Sequence, residues 1–415
     1  MENNSTLLVP QQPLFPILEK QEKQLAIVDS LLAESVRKKI LNIALNHPKF
    51  FIEMISYIYP LTHLLIEKYK DKWHWYRLSL NTALPWSMEL IEKYKNKLDW
   101  NLSGLSHNTA LLWSIELIEK YKDKWWWDDL SSNTALPWSI ELIEKHKDKW
   151  WWDDLSSNTA LPWSMELIEK FMDNWSWRYL SENTTLPWTM ELIEKYKDKW
   201  NWSWSRLSLN MGLPWSIDFI EKYKENWMWY ELSENTALPW SIDFVEKFMD
   251  KWSWLGLSGN TALPCSMELI GKYKDKWEWG SGGLSNNGAL PWSMELIEKY
   301  EDKWDWDGLS KNSALPWSIE LIEKYEDKWD WESLSLNEAL PWSMELIEKY
   351  EDKWDWESLL YNRGLTWSIE LIEKYEYKWS WDFGLSGNES VYRKAFQHHL
   401  TDSFVDEIMN KINKE

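Results

Sequence analysis

Residues 317–341 read WSIELIEKYEDKWDWESLSLNEALP, and close copies of this stretch fill almost everything between residues 60 and 388. Ser318 is placed to cap a helix by accepting from a free backbone N–H two or three residues on. Glu320 falls in the first turn, where the helix dipole favours negative charge. Trp317 precedes the cap and can staple against Ile322 in the following turn. Leu321, Ile322, Tyr325 and Trp329 recur at i, i+1, i+4 and i+8, one apolar stripe of an α-helix. The expectation is a helix of roughly three turns from Ile319 to Trp329, with Glu320 and Lys324 as an i,i+4 pair. Such a helix is too short to persist alone in water, so neighbouring copies must hold it.

The rest of the unit must return the chain to the next helix. Between the tryptophan pair and the following leucine most copies have two residues, as in Trp331-Glu332-Ser333-Leu334. The stretches Trp100 to Leu105, Trp202 to Leu207 and Trp279 to Leu284 carry two more, the last with Gly280, Gly282 and Gly283. Two inserted residues would rotate a continuous helix by about 200° and ruin its stripe, so the chain turns there. Leu-Ser-x-Asn then reads as a very short second helix, as little as one 3₁₀ turn, closed by an asparagine, a residue that tolerates a left-handed conformation.

Register is fixed by the Leu-Pro-Trp marker, from Trp86 through Trp317 to Trp367, with Cys265 in place of tryptophan once. Counting the copy that starts at Leu61, there are thirteen, in steps of 25 residues, or 27 at the insertions. Each has a serine or threonine after the marker, and each ends in an asparagine, from Asn81 through Asn337 to Asn388. The asparagines are expected to bond backbone groups as a buried ladder, and Trp317, Ser318, Asn81 and Asn337 to be structural. At about 8–10 Å per layer the array should run roughly 100–130 Å along its axis.

Residues 1–59 lack the repeat signature. Residues 1–15 bear proline and glutamine and read as extended, either a loose tail or a strip lying on the first helices, Ile17 to Asn46 as a helix ended by His47-Pro48, and Phe50 to Ile58 as a second amphipathic stretch. Tyr392, Phe396, Leu400, Phe404, Ile408 and Ile412 recur every fourth residue. The division expected is therefore an N-terminal tail and helical cap (1–59), tandem repeats (60–388) and a C-terminal helical cap (389–415), with atypical terminal units as solenoids require. The fold class is all-α, an α-solenoid of helix–turn–short-helix repeats. The competing fold is a leucine-rich-repeat-like horseshoe, in which W-x-W would form a short strand.

The unit WxWxxLSxNxxLPWSxELIEKYxDK resembles tryptophan-rich tandem repeats of uncharacterised bacterial and giant-virus proteins. The likeness covers residues 60–388 and implies a repeat fold. It implies no activity, and no functional residue carries over from it.

Composition bounds function from the other side. With 39 tryptophans in 415 residues the chain is too rich in bulky apolar groups to stay unfolded. Cys265 is the single cysteine, which fits a reducing compartment. The start lacks the basic and apolar regions of a signal peptide, and Phe50 to Ile66 is too short and interrupted to span a bilayer, so a cytoplasmic protein is expected. There is no P-loop, GxGxxG, HExxH or CxxC. Asp302, Asp305, Asp307 and Gly308 echo a calcium loop without its spacing or distal glutamate. No enzyme, cofactor or metal is expected.

Binding is read from the columns that vary while all around them is fixed. Between Ser and Asn stand Leu80, His107, Glu182, Leu209, Glu234, Lys311, Leu336 and Tyr361, among others. Between the paired tryptophans stand Trp126 and Trp151. Two such columns on one edge of a solenoid can form a recognition face. The net charge is −21, and late copies carry Glu301, Glu326, Glu351 and Glu376 where early ones carry lysine. That disfavours nucleic acid, whose binding depends on Lys and Arg, and points to a protein with a basic surface. The leading expectation is a non-catalytic scaffold or adaptor that binds a protein along the solenoid face. The alternatives are a glycan- or single-strand nucleic-acid-binding module that uses exposed tryptophans, and a structural spacer.

Overall fold

The computed structural model describes residues 15–101, 104–202, 207–381 and 384–414, with side chains from residue 31 onward. Nearly all of the tail expected at residues 1–15 lies outside them. Every regular element is helical and no strand forms among the described residues, so the fold is an α-solenoid and not the horseshoe. None of the described helices is long and apolar enough to cross a membrane.

The eleventh copy stands for the rest. Its first helix is Ile319–Lys324, and Ser318 Oγ accepts from the Leu321 N–H at 3.2 Å. Leu321 and Ile322 are buried. The helix then stops, a correction to the three turns expected. Lys328 and Trp329 both donate their N–H to the Tyr325 carbonyl in tight turns. The reason lies in Trp329, whose indole N–H donates to the Ile322 carbonyl at 3.1 Å. The ring folds back under the helix end instead of extending its stripe. The expected Glu320–Lys324 pair is also corrected, because the Lys324 ammonium reaches Glu298 of the preceding copy.

The second helix, Trp331–Leu336, starts at the second tryptophan rather than at Leu-Ser, and Asp330 Oδ1 caps it by accepting from Ser333 N–H at 2.7 Å. It shrinks to one 3₁₀ turn at Leu105–His107 and Leu284–Asn286, just after two of the insertions. There Leu105 N–H returns to the Asp99 carbonyl and Leu284 N–H to that of Glu278. The third insertion falls partly outside the described residues. The closing asparagine is extended (Asn337, φ −73°, ψ 112°), not left-handed. Its amide has another task. Asn337 Nδ2 donates to the carbonyl of Ser310 at 2.8 Å, one copy back, while Oδ1 accepts from Ala339 N–H at 2.9 Å. The same pattern links Asn133, Asn158, Asn235 and Asn312 to their preceding copies.

The tryptophans fill the space between layers. Trp331 lies 4.8 Å from Tyr350 and 4.9 Å from Trp354 of the next copy, and Trp342 lies 4.9 Å from Trp354, ring centre to ring centre. The two rings of a W-x-W pair serve different elements, one closing the first helix and one opening the second. This is why both can be core without sharing a helical stripe.

The repeats do not run out into a long rod. The N-terminal helix Pro48–Ile58 packs on the second helix of the first copy, Trp75–Leu80, and on the 3₁₀ turn Leu385–Gly387 of the last. It behaves as a fourteenth unit. Ser56 Oγ accepts from His74 N–H, and the Ser56 and Tyr59 carbonyls accept from Asn81 Nδ2, as a preceding repeat would. On its other side Trp381 stacks on His47 (3.6 Å, 5°) and meets Phe50 edge-on. Outside this junction the helix Phe15–Asn46 packs on Ile369–Lys374 and on the C-terminal helix Asp402–Ile412. Lys39 pairs with Glu373 at 2.7 Å, Arg37 with Glu407 at 2.6 Å, and Lys68 with Asp406 at 2.5 Å. The chain is a closed ring. The expected axis of 100–130 Å with a cap at each far end is corrected accordingly, since both terminal helical segments meet at one seam.

Candidate functional site

Neighbouring second helices approach each other more closely than neighbouring first helices, which reach one another mainly through long side chains. In a closed ring the more closely spaced layer has the smaller radius, so second helices form the inner wall. With fourteen units about 8–10 Å apart, the opening inside that wall is roughly 25–35 Å across. A single helix, about 10–12 Å wide, would touch one arc of it rather than plug it.

Each second helix buries Leu and Ser and turns one stripe away from the core. In Trp331–Leu336 the exposed residues are Glu332 and Leu336, four apart. The Ser-x-Asn column therefore lies on this wall: His107, Leu209, Glu234, Lys311, Leu336 and Tyr361 are exposed, while Leu80 and Glu182 are half-buried. Lys311 is already paired with Asp307 at 2.8 Å. The partner column, one residue after the second tryptophan, was not singled out from sequence. It holds Tyr76, Asp128, Asp153, Arg178, Tyr230, Leu255, Glu332 and Glu357, and varies as freely as the other.

The column between the paired tryptophans is partly structural. Asp305, Asp330, Asp355 and Ser253 cap second helices with their side chains. This commits Asp305 of the calcium-loop echo to a helix, and Asp307 to Lys311 and Ser333. Trp126 and Trp151 cannot cap, and the two residues are 42% and 54% exposed. Beside them lie Asp128, Asp129, Asp153 and Asp154. Burial, then the charges of Asp128, Asp153 and Asp129, push the Asp154 carboxyl above its ordinary range. Among the described residues no lysine or arginine pairs with Asp128, Asp153, Glu332 or Glu357. The wall is acidic and aromatic together, most densely in the third and fourth copies.

The glutamates that replace lysine in late copies lie elsewhere. Glu301 and Glu326 pair with Lys328 and Lys353 of the next copy, and Glu376 accepts from His47 and Asn46 at the seam. They are ties between units. Negative charge not spent on such ties lies on the inner wall rather than in this column. No group of three or more His, Cys, Asp or Glu side chains converges as a metal site among the described residues. Comparison of the chain with protein-family models, with curated proteins and with solved structures finds no match.

Proposed function

We propose that the ring is a non-catalytic scaffold that holds a basic segment of a protein partner against its inner wall, anchored at Trp126 and Trp151. The observation that carries this reading is the placement of two exposed indoles beside Asp128 and Asp153, which among the described residues pair with no lysine or arginine. A lysine or arginine side chain laid on an indole face gains about 0.5–2 kcal/mol there, and the neighbouring carboxylates select its charge. Nucleic acid is disfavoured by the same carboxylates, which would repel its phosphates.

The test is titration of the intact chain with a fluorescent Lys/Arg-rich peptide and with its Glu-substituted counterpart. Specific binding of the basic peptide should weaken tenfold or more in a Trp126→Ala, Trp151→Ala double variant and fall steeply with salt. Indifference to both tryptophans would remove the anchor and the proposal with it. A glycan could also stack on the same flat rings with the carboxylates as acceptors. Oligosaccharide binding that needs the rings but not low salt would favour that reading instead.

A further inference from the structure

The seam holds a cleft of about 320 Å³ lined by Arg77, Tyr361, Arg363, Gly384, Gly387 and Asn388. It is basic in a chain of net charge −21. The sequence contains six arginines: Arg37, Arg77, Arg178, Arg206, Arg363 and Arg393. Arg37 and Arg393 are paired with glutamates. Arg77 and Arg363 face the same cleft, and among the described residues neither is paired with a carboxylate.

Both are held in place. The Arg77 guanidinium lies 5.3 Å from the ring centre of Tyr57, on the helix that closes the ring. Lys394 donates to the carbonyls of Arg363 and Leu365 at 2.8 and 3.0 Å and pins the turn that carries Arg363. The space between them exists because side chains are missing. Gly387 occupies the Ser-x-Asn column, where most copies carry a side chain. Gly384 has φ +88°, a conformation open to glycine, and a Cβ there would press on Leu360 and Tyr361. Tyr361 is 57% exposed at the edge.

We propose that this cleft binds the phosphate group of a small organic molecule, with the organic part against the Tyr361 ring. Two guanidinium forks offer paired N–H donors that match phosphate oxygens. The volume lies at the lower end of small-molecule sites, about 300–1,000 Å³, and leaves room for more than a bare phosphate. Because Arg77 belongs to the first copy and Arg363 sits where the twelfth copy meets the thirteenth, the ligand spans the seam.

The experiment is calorimetric titration of the full chain with a nucleoside 5′-monophosphate, with inorganic phosphate and with the nucleoside alone. The monophosphate should bind and the nucleoside should not. Arg77→Ala and Arg363→Ala should each weaken binding tenfold or more, and Arg178→Ala, elsewhere on the wall, should leave it unchanged. Tyr361→Ala should weaken the monophosphate while sparing inorganic phosphate. Circular dichroism on each variant separates lost binding from lost folding; Arg363 is exposed, Arg77 is half-buried, and neither belongs to the hydrophobic core. Absence of binding by both phosphate probes, or equal affinity in the native chain and the two arginine variants, overturns the assignment.

Discussion

Cys265 shows what one residue does at the marker position. In the next copy Trp292 donates its indole N–H to the Asn287 carbonyl at 2.8 Å, and its ring lies 5.0 Å from Trp304. At Cys265 the equivalent carbonyl of Asn260 has no such donor and Trp277 has no such ring beside it. The half-buried sulfur replaces neither contact, and burial pushes its thiol up to about 11. Cys265→Trp should restore both contacts and stabilise the chain by about 1–2 kcal/mol, read as a higher denaturant midpoint. A lower midpoint would show that the layer has closed around the smaller side chain. The departure of Cys265 from its column was visible in the sequence, and so was the constancy of the asparagines. The bonds themselves were not. An amide that reaches across 27 residues leaves the same invariant column whether its own backbone is left-handed or extended.

Helices of six residues stand here because their neighbours hold them, and the outer layer carries this in charge. Glu67 is held near 2 by Lys70, Tyr94 and Lys93, and Glu92 near 2 by Lys95, Tyr121 and Lys120. In the unfolded chain each would titrate near about 4.3. A carboxyl with a depressed folded value contributes stability that is complete above its unfolded value and is lost as pH falls through the folded one. The helical signal should therefore hold down to about pH 4.5 and decline between about pH 4 and 2, with an earlier decline in 1 M salt, where exposed pairs are screened. Carboxyl carbon shifts that place Glu67 and Glu92 at ordinary midpoints would refute this role for their contacts with Lys70, Tyr94, Lys95 and Tyr121. At this scale the sequence read well for the existence and order of elements. It read poorly for their lengths. The apolar stripe from Leu321 to Trp329 is real as a buried surface, but its last member turns back on the Ile322 carbonyl, and periodicity does not distinguish that from another helical turn. Likewise, Glu320 and Lys324 have i,i+4 spacing, yet a glutamate on the next helix in space wins the lysine.

Closure is the property no single repeat contains. Each copy needs only its two neighbours, so the local pattern is equally consistent with a rod, a superhelix or a ring, and curvature comes from the unequal spacing of two layers. The one local clue was Ile55-Ser56 ahead of Leu61, a shortened echo of Leu-Ser ahead of the marker, which lets the helix Pro48–Ile58 take the place of a repeat. The seam differs from every other junction in its outer layer. There long helices and three close ion pairs, Lys39–Glu373, Arg37–Glu407 and Lys68–Asp406, replace the repeating contacts. This is the one junction at which the ring can part without breaking a covalent bond. Reversing the charges with Arg37→Glu, Lys39→Glu and Lys68→Glu sets like charges against Glu407, Glu373 and Asp406, while the repeats keep their own neighbours. The triple variant should retain its helical circular dichroism yet show a larger radius of gyration and maximum dimension by small-angle X-ray scattering. Restoring opposite charge with Glu373→Lys, Asp406→Lys and Glu407→Lys in the same chain should bring both dimensions back. Unchanged dimensions in the triple variant would mean that the packing of Trp381, His47 and Phe50, with the hydrogen bonds of Asn46 and His47 to Glu376 and of Tyr59 to Asp402, holds the seam, and that the ring stays closed without the three outer ion pairs.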